Sequence, residues 1–193
     1  MVVEVCATNF QSALNAQDAG ADRIELCSEL AVGGITPNYG LLKKVTSELN
    51  IPVHVLIRPR SGDFTYSDSD FEVMKQNIAL CKRLKCSGIV SGVLHKDMRV
   101  DIPRTKELID LASPLTFTFH RAFDWTPDPI ATAKKLAEIG VARILTSGQA
   151  TSAVEGLPML TQLKDTFTGT ILAAGGINLD LSLIHISEPT RLG

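Results

Sequence analysis

Residues 2–27, VVEVCATNFQSALNAQDAGADRIELC, decide the fold. The stretch opens on the β-rich run Val2–Cys6, continues at helical spacing through Phe10–Gln17, stops at Gly20 and returns to a β-rich run at Arg23–Cys27. Strand, helix and strand in so short a segment form a βαβ unit with parallel strands, because the crossover helix returns the chain to the starting end of the sheet. Five more β-rich runs follow: Pro52–Ile57, Gly88–Val93, Leu115–His120, Arg143–Thr146 and Thr170–Ala174. Their starts recur at intervals of about twenty to thirty-five residues, the spacing of alternating strands and helices.

The intervening segments read as helices. Thr36-Pro37 supplies an N-cap and a first-turn proline to a helix running to Leu49. Ser67–Leu84 carries Phe71, Met74, Ile78 and Leu84 on one stripe. Asp101–Ala112 carries Ile109 and Leu111. Asp128-Pro129 opens a helix through Ile139 that Gly140 closes, and Glu155–Thr166 is the last. Seven such units predict an α/β fold of the TIM (β/α)8 type, truncated after strand seven, since a complete barrel takes ~250 residues. An open doubly wound sheet is the alternative. It seldom keeps so even a period, and no GxGxxG follows the first run.

Composition supports one globular domain. The 193 residues are 45% hydrophobic and 21% charged, which suits a packed core rather than disorder. A net charge of −2 offers no basic face, so nucleic acid is an unexpected partner. No apolar run approaches the ~18 residues of a membrane span, and MVVEVCATNF lacks the pattern of a secretory signal. Four cysteines without a CxxC motif read as reduced thiols of a cytoplasmic protein. The final stretch LSLIHISEPTRLG, residues 181–193, resembles the translation of a sequencing-library adapter. The expected division is therefore an incomplete barrel domain over 1–180 and a non-native tail over 181–193, with His185 set aside.

Strand parity places chemistry inside the barrel. Val3 and Val5 oppose Glu4 and Cys6; Ile24 and Leu26 oppose Glu25 and Cys27; Phe117 and Phe119 oppose Thr116, Thr118 and His120. The apolar sets should face the helices, which turns the polar sets into the lumen. Lumenal carboxylates need partners, and Arg58 and Arg60, just after the third strand, are the expected ones. Arg121 and Asp124 follow the fifth strand beside His120, a candidate general base or ligand. A charged pocket at the C-terminal strand ends follows, with a purely structural ion-pair network as the alternative. Thr146-Ser147-Gly148 and Ala174-Gly175-Gly176-Ile177 face the same end; they suit an anion, or are simply tight turns. His54 shares parity with Arg58, and His95 sits in a polar loop.

Cys81 and Cys86 flank a helix end and read as small hydrophobes. Cys6 and Cys27 end adjacent strands, so their thiols could meet. Two close thiolates suit Cu(I), permit a disulfide under oxidation, or are inert buried thiols.

The segments EVC (4–6), GADRIELCSEL (20–30), GGITPNYG (33–40), IRPRSGDFTYSD (57–68), FHRAFD (119–124), RILTSG (143–148), EGLP (155–158) and AAGGIN (173–178) together resemble the CutC copper homeostasis family. The resemblance implies a cytoplasmic TIM barrel associated with copper handling and Cu(I) binding, with Cys6 and Cys27 as the copper ligands. It also implies a polar cleft holding Glu4, Glu25, Arg58, Arg60, His120, Arg121 and Asp124, and a homodimer for the full-length protein. Two function classes follow. One is a Cu(I)-binding homeostasis protein using Cys6 and Cys27. The other is a barrel enzyme acting on a small anionic or phosphorylated substrate. There, Glu4, Arg58, Arg60, Arg121, Ser147, Gly175 and Gly176 would bind the ligand, and His120, Asp124 or Glu25 would act in catalysis.

Overall fold

A computed structural model describes residues 2–177. Seven strands form one parallel sheet in sequential order: β1 (Glu4–Ala7), β2 (Arg23–Leu26), β3 (Val53–Leu56), β4 (Gly88–Ser91), β5 (Thr116–Phe119), β6 (Arg143–Thr146) and β7 (Thr170–Ala173). The crossovers are α1 (Phe10–Asp18), α2 (Tyr39–Glu48), α3 (Asp68–Arg83), α4 (Ile102–Ala112), α5 (Pro129–Glu138) and α6 (Leu157–Thr166). This is the wall of a TIM-type barrel. Among the described residues β1 and β7 each pair on one side. The 181–193 segment lies outside the described residues, so its assignment as a tail is an expectation.

Local chemistry explains the element bounds. Asn9, Ser67, Asp101 and Asp128 each cap a helix by accepting a backbone N–H three residues on. The second helix begins later than its Thr36-Pro37 signal, because Asn38 rather than Thr36 accepts the N-terminal N–H, at 2.9 Å. Thr36 instead exchanges hydrogen bonds with the Arg58 backbone. The last helix starts at Leu157, behind a Gly156 that offers no side-chain cap.

Cys81 and Cys86 are buried for a local reason. Lys85 takes the left-handed conformation (φ 57°), Cys86 N–H donates to the Cys81 carbonyl at 3.0 Å, and Lys85 N–H donates to Lys82. That is a Schellman ending, whose first and last residues make an apolar contact, and here both are cysteines.

The core lies between sheet and helices. Ile24, Leu26, Val53, Val55, Ile89, Phe117, Phe119 and Ile144 point outward from the strands. Against them pack Leu42, Val45, Phe71, Met74, Ile78, Leu108 and Leu136 from the helices. The opposite strand faces form the lumen. Registers Cys6↔Glu25, Glu25↔His54, His54↔Gly88 and Gly88↔Thr116 run as one row across five strands. A second row is apolar where Cys27, Leu56 and Val90 cluster. So parity places the side chains as expected, and the polar residues line the inside.

Candidate functional site

The lumen begins at its N-terminal end with Glu4. Its carboxylate accepts from Arg23 Nε and lies 3.4 Å from His54 Nδ1. Burial pushes the Glu4 carboxyl up, but the His54 and Arg23 hydrogen bonds outweigh burial and hold it below the usual range. Arg143 lies nearby and donates to Thr118 Oγ1 at 3.2 Å and to Thr116 Oγ1. Burial and then the Arg23 charge lower its pKa.

One step further in is Glu25, 6% exposed. Burial, then the Glu4 charge, pushes its carboxyl up to about 8. Its contact is the Cys6 thiol, which donates to Oε2 at 3.9 Å. Cys6 is exposed to solvent. The surrounding wall and the Glu25 charge nevertheless raise its pKa well above the ordinary thiol value. Cys27 is buried; burial and then Glu25 push it up to about 11. Cys6 is level with Glu25, not with Cys27, so the two thiols are diagonal neighbours on one face. Among the described residues no group of three or more His, Cys, Asp or Glu is arranged to hold a metal ion.

The expected pairing of Glu4 and Glu25 with Arg58 and Arg60 is not what the structure contains. The Arg58 guanidinium donates to the carbonyls of Val32, Gly34 and Gly62 at 2.7–2.8 Å. It stacks over Phe64, with Cζ 5.0 Å from the ring centroid. It therefore clamps the loops after β2 and β3 to each other. Arg60 pairs with Asp63 in the loop after β3 and with Asp70 in the first turn of α3. The partner of Glu4 is Arg23. Sequence reasoning missed it, although Arg23 shares strand parity with Glu25.

His120 closes the lumen at the end of β5. Its Nδ1 accepts the Ala122 N–H at 3.3 Å, which leaves the proton on Nε2, buried and without a partner. Burial, then the Arg58 charge, lowers its pKa to about 3. The ring is held neutral, with Nε2 as its donor. The ring fits because Gly92 stands beside it: a Cβ there would lie 2.8 Å from Nδ1 and Cε1.

Asp124 sits on a 3-10 turn over Arg121–Trp125 that the sequence did not announce. It accepts from Thr146 Oγ1, from Ser147 N–H and Oγ, from Gln149 N–H and from Arg121 Nε. That many donors make it a knot joining the loops after β5 and β6. Arg121 also donates to Ser147 Oγ at 2.9 Å. The Gly175 backbone lies against the same guanidinium: a Cβ there would come 3.5 Å from Arg121 Nη1. Gly175 and Gly176 both take positive φ (95° and 69°), so their turn conformation favours glycine.

A parallel β/α barrel with a thiol- and carboxyl-bearing lumen is the class that fold and site define. The family model for CutC matches residues 1–187. The chain is 47% identical over 178 residues to a CutC family protein of Proteus mirabilis, covering 92% of this chain and 71% of that one. It is 46% identical over 183 residues to one of Photorhabdus laumondii, covering 95% and 73%. The crystal structure of CutC from Streptococcus agalactiae superposes with a TM-score of 0.90 at 30% identity, covering 95% of this chain and 92% of that one. The chain belongs to the CutC family. A phosphonopyruvate hydrolase with oxalate and Mg2+ superposes at TM-score 0.62 and 14% identity, a likeness of fold alone. No helix among the described residues is long and apolar enough to cross a membrane.

Proposed function

We propose that this chain takes part in copper homeostasis by binding Cu(I) in its lumen through Cys6 and Cys27. The observation that carries the reading is the pair of thiols on the lumenal face at adjacent strands, with Cys27 packed against the apolar Leu56 and Val90. Glu25 touches Cys6, but among the described residues no group of three or more His, Cys, Asp or Glu is arranged to hold a metal, and two sulfur donors suit two-coordinate Cu(I) better than tetrahedral zinc. The Streptococcus agalactiae relative is named for copper homeostasis, which supports the same reading. Four free thiols agree with a reducing compartment such as the cytoplasm.

Both thiols must lose their protons to bind the metal, so affinity rises with pH. Glu25 Oε2 accepts the hydrogen bond of the Cys6 thiol. The test is a competitive Cu(I) titration of the wild type against Cys6→Ser/Cys27→Ser, with X-ray absorption on the loaded protein. Equal affinity of the two proteins, or a copper spectrum without sulfur neighbours, would overturn the reading.

A second reading, an enzyme for a small anionic substrate, draws on His120 and Glu25. A neutral imidazole N–H and a protonated carboxyl can each donate to a substrate oxygen at pH 7. In that reading Arg121 and the Gly175-Gly176 turn meet the anion. Arg58 only holds the loops.

A further inference from the structure

We infer that the N-terminal end of the lumen is a binding site for a small oxyanion, held between the guanidinium groups of Arg23 and Arg143. Both residues begin strands and face inward: Arg23 is level with Glu4, and Arg143 is level with Thr118 and Thr170. Each is fixed along one edge by neighbours. Arg23 Nε donates to Glu4, and Arg143 Nε and Nη2 donate to the hydroxyls of Thr118 and Thr116.

Each is also left incomplete. Arg23 Nη2 is buried without a hydrogen-bond partner. Arg143 makes no ion pair with any carboxylate among the described residues, and its acceptors are neutral hydroxyls. Among those residues Glu4 is the carboxylate that neutralises this end, and it is committed to Arg23 and His54. Two arginines therefore face one carboxylate. Burying an uncompensated guanidinium is costly, and a planar fork with a free edge takes a phosphate or carboxylate two oxygens at a time. Burial first, and then the Arg23 charge, lowers the pKa of Arg143, as expected of two guanidinium groups sharing one carboxylate.

This site lies at the opposite end of the lumen from Arg121 and Gly175 and uses neither cysteine. It is thus independent of copper binding. It is also at the N-terminal end of the strands, where a barrel normally carries structure rather than chemistry. A bound anion there stabilises the wall without entering a reaction.

Inorganic phosphate is the probe. Wild type and Arg143→Gln are compared by calorimetric titration and by thermal unfolding, in phosphate and in chloride of equal ionic strength. Phosphate should raise the unfolding temperature of the wild type above that in chloride, and Arg143→Gln should weaken phosphate binding at least tenfold. The Cys6→Ser/Cys27→Ser protein should bind phosphate like the wild type. A second measurement needs no variant: phenylglyoxal labelling of the wild type read by mass spectrometry, in which phosphate should protect Arg143. Identical unfolding in both salts, an Arg143→Gln protein that binds phosphate normally, or protection of Arg121 or Arg60 in place of Arg143 would each overturn the inference.

Discussion

Replacing Glu25 by glutamine should remove a pH dependence that the fold imposes on itself. The folded carboxyl keeps its proton up to about pH 8, whereas its ordinary value is 4.5. Between those values the folded chain binds a proton that the unfolded chain has released, so stability falls as pH rises. The slope approaches 1.4 kcal/mol per pH unit, or roughly 3 to 4 kcal/mol between pH 4.5 and 7.5. His120 acts in the opposite sense. Its pKa drops from 6.5 to about 3, so the unfolded chain binds the extra proton and stability rises with pH across that window. The two slopes largely offset each other from pH 4.5 to 6.5, and the Glu25 slope stands alone above 6.5. Glutamine has the same shape and no charge. The assay is the urea midpoint of wild type and Glu25→Gln at pH 5.5, 6.5 and 7.5, with a chelator present. The advantage of the variant should grow by roughly 2 to 3 kcal/mol across that range. A gap that stays constant with pH would refute the reasoning, because it would mean that the carboxyl ionises normally in the folded chain.

Three further outcomes are expected. His120→Gln should leave the Glu25 slope unopposed between pH 4.5 and 6.5, so that stability falls with rising pH across that window; a profile there as flat as the wild type's in urea titrations would show that His120 is protonated in the fold. Arg58→Met keeps the apolar stem but strands the carbonyls of Val32, Gly34 and Gly62, at a cost of about 3 kcal/mol in urea unfolding. Midpoints that coincide would remove the clamp from the account. Gly88→Ala would place a methyl 2.7 Å from His54 Cδ2 and Thr116 Oγ1. It should cost ~1–3 kcal/mol, read as a lower thermal midpoint, and an unchanged midpoint would mean that the lumen there has room to spare.

The alternation of strands and helices, and the inward set of Glu4, Cys6, Glu25, Cys27 and His120, could be read from residue types because parity and period are local properties. The partner of each charge could not. Arg58 lies on the lumenal side by parity, yet its long side chain reaches over the strand end to three carbonyls of two loops. Sequence spacing says nothing of that reach. Arg23 and Arg143 look like ordinary strand starts until the register sets them beside Glu4 and Thr118. The offset between Cys6 and Cys27 is likewise a matter of stagger: equal positions along two strands are not equal heights in a sheared barrel. The turn at Arg121–Trp125 is capped by His120, a residue that does not read as a cap in sequence, so the convergence of donors on Asp124 emerged only in three dimensions.

The sequential strand order has a consequence for how the molecule is made. Every pairing among the seven strands joins neighbours in the chain, with partners about twenty to thirty-five residues apart, so no pairing waits for a distant segment. As the chain leaves the ribosome, each new strand finds the edge laid down just before it, and the helix between them has already been synthesised. The wall can thus be assembled in the order of translation. The lumenal Glu4–Arg23 pair falls within the first unit to emerge and Arg143 arrives four strands later, so the charge balance of the lumen changes during synthesis itself.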